Sequence, residues 1–308
     1  MRGQIDGQLH MTFWENVWAV ISGSMAGVAL VTLILPIPFI IAEQLRPAVA
    51  RPRWQSYALN MAIGLSVVVL AAPFGVAAGV AATTVQGAIG WDPIAIPFDR
   101  IEAIAGIGPV LKAVLLMVAP LILHDVWTYW AHRLDHRIPV LWAFHAMHHS
   151  DREMNCTTWG RNHFLQTGWR SFFSVFTLGM IVKLDYMEAG QAALLGQMAY
   201  MLVSMFCHSA IRVELPWLDR ILVTPQVHRI HHSVEREHYD RNFADLFPIM
   251  DIMFGTYCAP VRGQFPATGL GDGEVNPANP ISAQTEPVAR SWQAVMSGLR
   301  QSSLQEQK

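Results

Sequence analysis

Apolar residues occupy this chain in long blocks, without the strict alternation of half-buried strands. The first block, Val17 to Ala42, is 26 residues without a charge, more than the ~20 that a helix needs to cross a bilayer. Pro36 and Pro38 near its end predict a kink or an early exit. Gln55 to Trp91 is a second uncharged block, of 37 residues. Its length and Pro73 fit one span with a bent or interfacial extension better than a tight hairpin. Charges and prolines recur from Asp92 to Lys112, after which Ala113 to Ala131 is apolar until it meets His124 and Asp125. Trp169 to Ile181 and Ala189 to Cys207 follow, separated by Lys183, Asp185 and Glu188. The first of these is short for a full span, which suggests a shallow helical hairpin. Past Tyr257 the chain turns to Gly, Pro, Gln, Ser and Asn, and from about Arg262 it reads as a loosely ordered extension with one or two amphipathic turns at Ser291 to Leu299.

Composition sharpens this picture. Hydrophobic residues make up 52% of the 308 and charged residues 14%, where a soluble domain carries about 25% charged. Mean hydropathy is +0.29 and net charge −2, which excludes a disordered chain and a highly basic nucleic-acid binder. The expected fold is therefore all-α: a multi-pass integral membrane helical bundle. Residues 1–112 would hold the N-terminal spans and loops, 113–261 a histidine-rich domain, and 262–308 a flexible cytoplasmic tail. The N-terminal residues lack the basic-then-apolar plan of a cleaved signal peptide. With the N-terminus outside and five segments crossing or dipping into the membrane, 17 of the 21 Lys and Arg face the cytoplasm, including Arg46, Arg51 and Arg53 in the short first loop. Cys156, Cys207 and Cys258 are too far apart for a CxxC metal site and read as packing thiols.

The chemistry lies in the histidines. They fall as His132-x3-His136, His145-x2-His148-His149, His208, and His228-x2-His231-His232. Chance placement of 13 histidines in this length gives roughly 0.02 HxxHH patterns, so two of them are a design feature. Residues three and four apart share a helical face, so HxxxH and HxxH each aim two imidazoles at one point, and the extra His of HxxHH points toward a second metal. Three clusters supply eight imidazoles and His208 makes nine. That is too many for one tetrahedral zinc and suits two metals of higher coordination number. Neutral imidazoles leave metal charge uncompensated. Asp125, seven residues before His132 and eleven before His136 on the same helical face, is the candidate to offset it, as a ligand or from behind the ligands. His124 is a further possible ligand, as is His163, which otherwise reads, like His238, as a surface residue or a support to the ligands; His10 reads as surface.

Asp125-x4-Trp130-Ala-His132-Arg133-x2-His136, Leu141-Trp142-x2-His145-x2-His148-His149-Ser150, His208-Ser209, Thr224-Pro225-x2-His228-x2-His231-His232-Ser233 and Asp251-x2-Phe254-Gly255-Thr256-Tyr257 together resemble the fatty acid hydroxylase and sterol desaturase superfamily. The resemblance covers roughly Leu123 to Tyr257. It implies a membrane enzyme that hydroxylates or desaturates a lipid with O2 and external electrons. It further implies a di-iron centre, with Zn a possible substitute, held by His132, His136, His145, His148, His149, His208, His228, His231 and His232. Asn242 falls in the family's Asn-aromatic-Gly element as a residue supporting the site, but here Ala244 replaces the Gly. Where relatives have Arg-x-His-Pro, this chain has Arg161-Asn-His163-Phe164.

No Gly-rich dinucleotide fingerprint and no His-Pro-Gly-Gly haem motif occurs, so the electron carrier or reductase is expected to be a separate partner. The lipid substrate and the membrane are the other partners, with no nucleic acid. The competing function is a histidine-rich membrane metal transporter or sensor. It needs ligands along an intramembrane path, whereas these clusters follow the ends of spans on the expected cytoplasmic side.

Overall fold

The computed structural model describes residues 30–95, 108–183, 189–270 and 277–305. They are helical apart from one pair of two-residue strands. The first half of the expected first span, residues 17–29, lies outside the described residues. Its end is a π-helical turn, Leu30–Ile34, followed by α1 (Ile37–Leu45). The break falls where Pro36 and Pro38 predict it, with the prolines at the new helix's start, where a missing N–H costs nothing.

α2 (Trp54–Ile89) is one continuous 36-residue helix with Pro73 inside it. At 1.5 Å per residue it is about 54 Å long, and it ends at Gly90 in the left-handed conformation. Among the described residues it is the one helix long and apolar enough to cross a membrane by length and composition. Its inner line, Ile63, Val67, Ala71, Ala78 and Ala82, is buried, whereas Val69, Val76 and Val80 are each more than 60% exposed. A water-facing helix would carry polar residues on that outer face.

α3 (Pro109–Arg137) contains the expected third span and carries the first histidine pair at its C-terminal end. Ile138 and Pro139 turn the chain directly into α4 (Pro139–His149), because the residue before a proline is pushed out of helical conformation. α5 (Phe164–Ile181) and α6 (Ala189–His208) are the expected helical pair, with α5 starting five residues earlier than the apolar block suggests. α5 runs parallel to α2 and closely against it. A Cβ on Gly168 would sit 2.9 Å from the Phe74 ring, and one on Gly179 3.3 Å from Ala82. At the far end the Gln86 amide donates to the Gly179 carbonyl at 2.7 Å and the Trp91 indole to that of Met180 at 2.6 Å. Beyond them β1 (Ile94–Ala95) and β2 (Val182–Lys183) pair in parallel. α6 returns to the histidine end, where α7 (Pro225–His231) and α8 (Ile249–Met253) complete the cap.

The expected loose tail is ordered where it is described. Residues 261–268 strap α7: the Gln226 amide donates to the carbonyls of Val261 and Gln264, and Val234 N–H to that of Ala267. α9 (Pro280–Gln305) takes in the whole of Ser291 to Leu299 and docks on α2 and α4. Ala283 is fully buried against Ile63, Val67, Ala71 and Met147. Gln284 accepts from Phe164 N–H at 2.9 Å and donates to the Asn162 carbonyl at 3.1 Å. Composition misleads here because the anchors are a small residue and a polar one, which a count of large apolar residues does not register.

Cys156 and Cys207 are buried in two further apolar clusters, one around Tyr57 and Met205, the other around Tyr129, Val227 and Phe243. This fits the packing role expected of them. Cys258 is half-buried.

The close approach of α2 and α5 yields a test. Gly168→Ala should destabilise the protein by about 1–3 kcal/mol through overpacking against Phe74. Adding Phe74→Leu should recover part of the loss in thermal unfolding of the detergent-solubilised protein. A variant as stable as the parent would show that the two helices are further apart.

Candidate metal centre

The nine histidines that the clusters supply all meet in one place, as two adjoining groups. His132, His136, His145, His149 and His231 form one and His148, His208, His228 and His232 the other, with the ligand atoms of each group within 4.8 Å of one another. Eight are buried and His136 is half-buried. α3 supplies His132 and His136, α4 supplies three, α6 ends on His208, and α7 with its C-cap supplies the last three.

The division corrects one expectation from spacing. In each HxxHH motif the residues four apart share a group: His145 with His149, and His228 with His232. The residue three along crosses to the other group. His145 and His148 lie parallel and offset, with centroids 5.4 Å apart and planes at 23°, and His228 and His231 repeat this at 5.4 Å and 24°. Each motif thus gives two ligands to one group and one to the other, in mirrored fashion. His149 and His232 stack at 4.3 Å where the groups meet.

Backbone carbonyls fix the ring orientations. The Nδ1 of His132, His208 and His231 lie 2.7, 2.7 and 2.8 Å from the carbonyls of Phe243, Ser204 and Arg241, and that of His148 lies 3.2 Å from Arg161 O. A carbonyl only accepts, so each Nδ1 carries the proton and each Nε2 turns a lone pair inward. Burial, together with mutual repulsion, holds His145, His149, His228 and His232 well below the usual imidazole pKa, and burial brings His231 down to about 4. Neutral imidazole is the form that binds metal.

The inward nitrogens crowd one another. Nε2 to Nε2 distances are 3.0 Å for His132 to His145, 3.1 Å for His149 to His145, 3.2 Å for His208 to His148 and 2.9 Å for His228 to His208. The Nε2 atoms of His136 and His231 are buried with no hydrogen-bond partner. Lone pairs facing at this distance repel unless a cation lies between them. Donors about 2.1 Å from one ion stand ~3 Å apart at right angles. The residues fit a pair of metal ions.

Three carboxylates approach the ring nitrogens. Asp135 Oδ2 is 4.0 Å from His145 Nδ1, Asp245 Oδ1 is 3.7 Å from His132 Nδ1, and Asp240 Oδ1 is 3.9 Å from His136 Nδ1. Asp135 is fully buried and held by Arg170 and by Gln166, whose amide nitrogen also lies 2.7 Å from His145 Nδ1. Sequence reasoning passed over all three. Asp135 lies inside the His132-x3-His136 pair, a position that spacing alone flags.

Asp125 does something other than face the histidines. Its carboxylate accepts the backbone N–H of Asp245, Leu246 and Phe247 at 3.2, 2.9 and 2.8 Å. Asp251 takes those of Phe243 and Ala244 at 2.8 and 2.9 Å. Asn242 donates to the carbonyls of Val227 and Cys258 and accepts from Cys258 N–H. Its φ of 54° is one that Asn tolerates better than most residues. Between them these three side chains immobilise the loop whose carbonyls at 241 and 243 orient His231 and His132.

His124 and His163 join neither group. His124 packs edge-on to Tyr200 at 4.9 Å. His163 is not on the surface: its Nε2 bonds the Gln284 carbonyl at 2.9 Å and its Nδ1 accepts from Leu165 N–H at 3.1 Å, so neither nitrogen is left for a metal.

With this geometry in place, comparison with known proteins shows what the chain is similar to. The fatty acid hydroxylase profile matches residues 117–256, the stretch that holds every residue of both groups. That segment is similar to the fatty acid hydroxylase family. Similar proteins include alkylglycerol monooxygenase of Homo sapiens, 33% identical over 170 residues, which are 54% of this chain and 36% of that protein. The Danio rerio alkylglycerol monooxygenase is 34% identical over 43% of this chain and 28% of its own. Ornithine lipid hydroxylase OlsE of Rhizobium tropici is 29% identical over 47% of this chain and 43% of its own. The chain therefore spans less than half the length of these relatives. No solved structure matches it.

The departures from the fatty acid hydroxylase pattern have local explanations. Ala244 is fully buried with its N–H on Asp251, and its φ is not positive, so no glycine is required there. Phe164, in place of the proline, keeps an N–H that Gln284 of α9 accepts.

Metal content separates ligands from bystanders. His148→Ala and His231→Ala should each lower bound metal, because each removes a ligand from a group that its neighbours in sequence do not complete. His163→Ala should retain the metal of the parent. The measurement is metal per protein by mass spectrometry. Full retention in both ligand variants would break the assignment of the groups.

Asp125→Asn should weaken the three amide bonds that the carboxylate accepts, at a cost of about 1–3 kcal/mol, and loosen His132 through Phe243. The observable is faster loss of metal to a chelator, with the helical circular dichroism unchanged. A loss rate equal to the parent's would reduce Asp125 to helix packing.

Proposed function

We propose that this protein is a membrane-bound, O2-dependent oxidoreductase that hydroxylates a lipid at a histidine-held di-iron centre, drawing electrons from a separate carrier. The observation that carries the reading is the partition of nine imidazoles into two contiguous groups at the end of a bundle with a long apolar helix. The match of residues 117–256 to the fatty acid hydroxylase profile supports it. Hydroxylation is favoured over desaturation because the similar proteins are a monooxygenase and a lipid hydroxylase by name. Within that class we assign an ether or amide-linked lipid ahead of a sterol on the same ground.

Bound iron supplies redox and Lewis-acid chemistry able to activate O2 toward an unactivated C–H bond. The chain's own residues provide the conditions. Nδ1 anchors lock the inward nitrogens before any ion arrives, which lowers the reorganisation that binding requires. Asp135, Asp245 and Asp240 place negative charge behind imidazoles that are themselves neutral, so the centre's charge is offset without a carboxylate entering the ligand set. Phe243, Tyr129 and Val227 pack behind the histidines and keep bulk water from the site.

We further propose a multi-pass topology with the histidine cap on the cytoplasmic side, following the distribution of Lys and Arg. α5 and α6, lying between the second and third clusters, then leave the cap and return to it. Cysteines introduced at Arg152 and at Arg236 should label from the same side of the membrane. Opposite labelling would refute the topology.

The function itself is tested in membranes supplied with a reductase and O2. Lipid mass spectrometry should show the gain of one oxygen atom in one lipid class, dependent on iron and lost in His148→Ala. Readily exchanged single ions with no oxygenated product would instead favour the metal transporter or sensor.

A further inference from the structure

Two cavities in this protein share a wall. The first, of about 70 Å3, is lined by His148, His208 and His228 of the metal centre together with Trp159 and Asn162. The second, of about 160 Å3, lies between α2 and α6 and is lined by Gly64, Val67, Val68 and Met201, again with Trp159 and Asn162. Both shared residues sit at the 3-10 turn Thr158–Gly160 or just after it. Trp159 is partly buried and packs against the cluster of Tyr57, Cys156 and Met205 on one side.

The second cavity has the character of a hydrocarbon site. None of the side chains lining it is charged. Of its two asparagines, Asn60 is fully buried and engaged by Asp151, Thr158 and Arg161, and the Asn162 amide donates to the Trp159 carbonyl at 2.7 Å; the Thr157 hydroxyl donates to Asn155. An apolar cavity of ~150 Å3 excludes water and accepts benzene, so the space here takes about six carbons of a chain. Its width depends on glycine. A Cβ on Gly64 would stand 3.4 Å from the Gly160 carbonyl, and a longer side chain there would fill the passage. Val68 is the one exposed residue of this lining, 38% accessible, beside Leu65 and Val69 on a flank of α2 that is apolar and exposed among the described residues, which marks the mouth of the cavity.

We propose that an alkyl chain of the lipid substrate occupies this second cavity, entering from the bilayer beside Val68 and passing Trp159 and Asn162 to reach the histidines. The proposal rests on the lipid-oxygenase reading above and adds the path. In it Val68 and Gly64 control access, and Trp159 is a positioning residue that sets which part of the chain meets the metal centre. The headgroup stays outside, because the lining has no free charge to receive it.

Photolabelling tests the path without turnover. The probe is a saturated alkylglycerol with a diazirine near the end of its chain, equilibrated with the iron-loaded protein in membranes and photolysed. Peptides containing residues 157–162 should be labelled, and unmodified alkylglycerol should compete. Val68→Trp, at the exposed mouth, should lower that labelling about tenfold, the scale of an unfavourable change in an apolar pocket, with iron content unchanged. Gly64→Leu should do the same, and Val68→Trp carries the test if the bulk at Gly64 prevents folding.

Labelling confined to the outer face of α2, at Val69, Val76 and Val80, would overturn the proposal, as would labelling of residues 157–162 that Val68→Trp leaves unchanged. The two readings fail separately. An active protein with no cavity labelling loses the path alone, whereas a labelled cavity in a protein that oxygenates no lipid loses the oxygenase and keeps the site.

Discussion

The constraint on which the rest of this structure depends is electrostatic: nine uncharged imidazoles must turn their lone pairs toward one another inside the protein. Such an arrangement is unfavourable without cations, and it persists only because other contacts over-determine it. For His132, His148, His208 and His231 the Nδ1–H to carbonyl bonds supply that determination. They make ligand orientation a property of the backbone, and so of whatever holds the backbone. Asp125, Asp251 and Asn242 together bind the loop at 242–247, and Arg161 links its own carbonyl on His148 to Asn60 of α2. The long apolar helix is in this way coupled to the metal centre through one buried polar network.

That coupling explains why so many charged groups near the centre are not ligands. A carboxylate bonded to two or three backbone amides is a stable buried group, and Asp125 and Asp251 are used in that way. Asp135 is different: it is fixed by Arg170 and Gln166 and faces a ring nitrogen. The fold thus separates the carboxylates that build the loop from those that adjust the charge of the site.

Much of this was legible in the sequence. Histidine spacing brought out eight members of the two groups, and the family resemblance added His208; unbroken apolar runs located α2, α5 and α6. Spacing misassigned the pairing, because three-residue and four-residue separations both lie on one face of a helix and only the position of the opposing motif decides between them. Asp125 was attractive for its place in the heptad-like series with His132 and His136, yet that face of α3 also meets the loop after Phe243, and three unpaired N–H groups claimed the carboxylate first. His163 and α9 were misread for a related reason. A histidine whose two nitrogens are satisfied by the backbone, and a helix anchored by Ala283 and Gln284, leave no signal in composition or in clustering. Contacts between distant segments made them, and those are not written locally.

The mirrored exchange of ligands between the two HxxHH motifs has a consequence for assembly. If each motif closed its own site, either half could mature alone. Here each motif reaches across to the other, so neither group is complete until segments some eighty residues apart have docked. Any ion held by one group would therefore bridge both motifs and add to the contacts that keep them together. The same crossing ties the return of α6 to the metal, which makes the centre a clasp on the bundle as well as its reactive point.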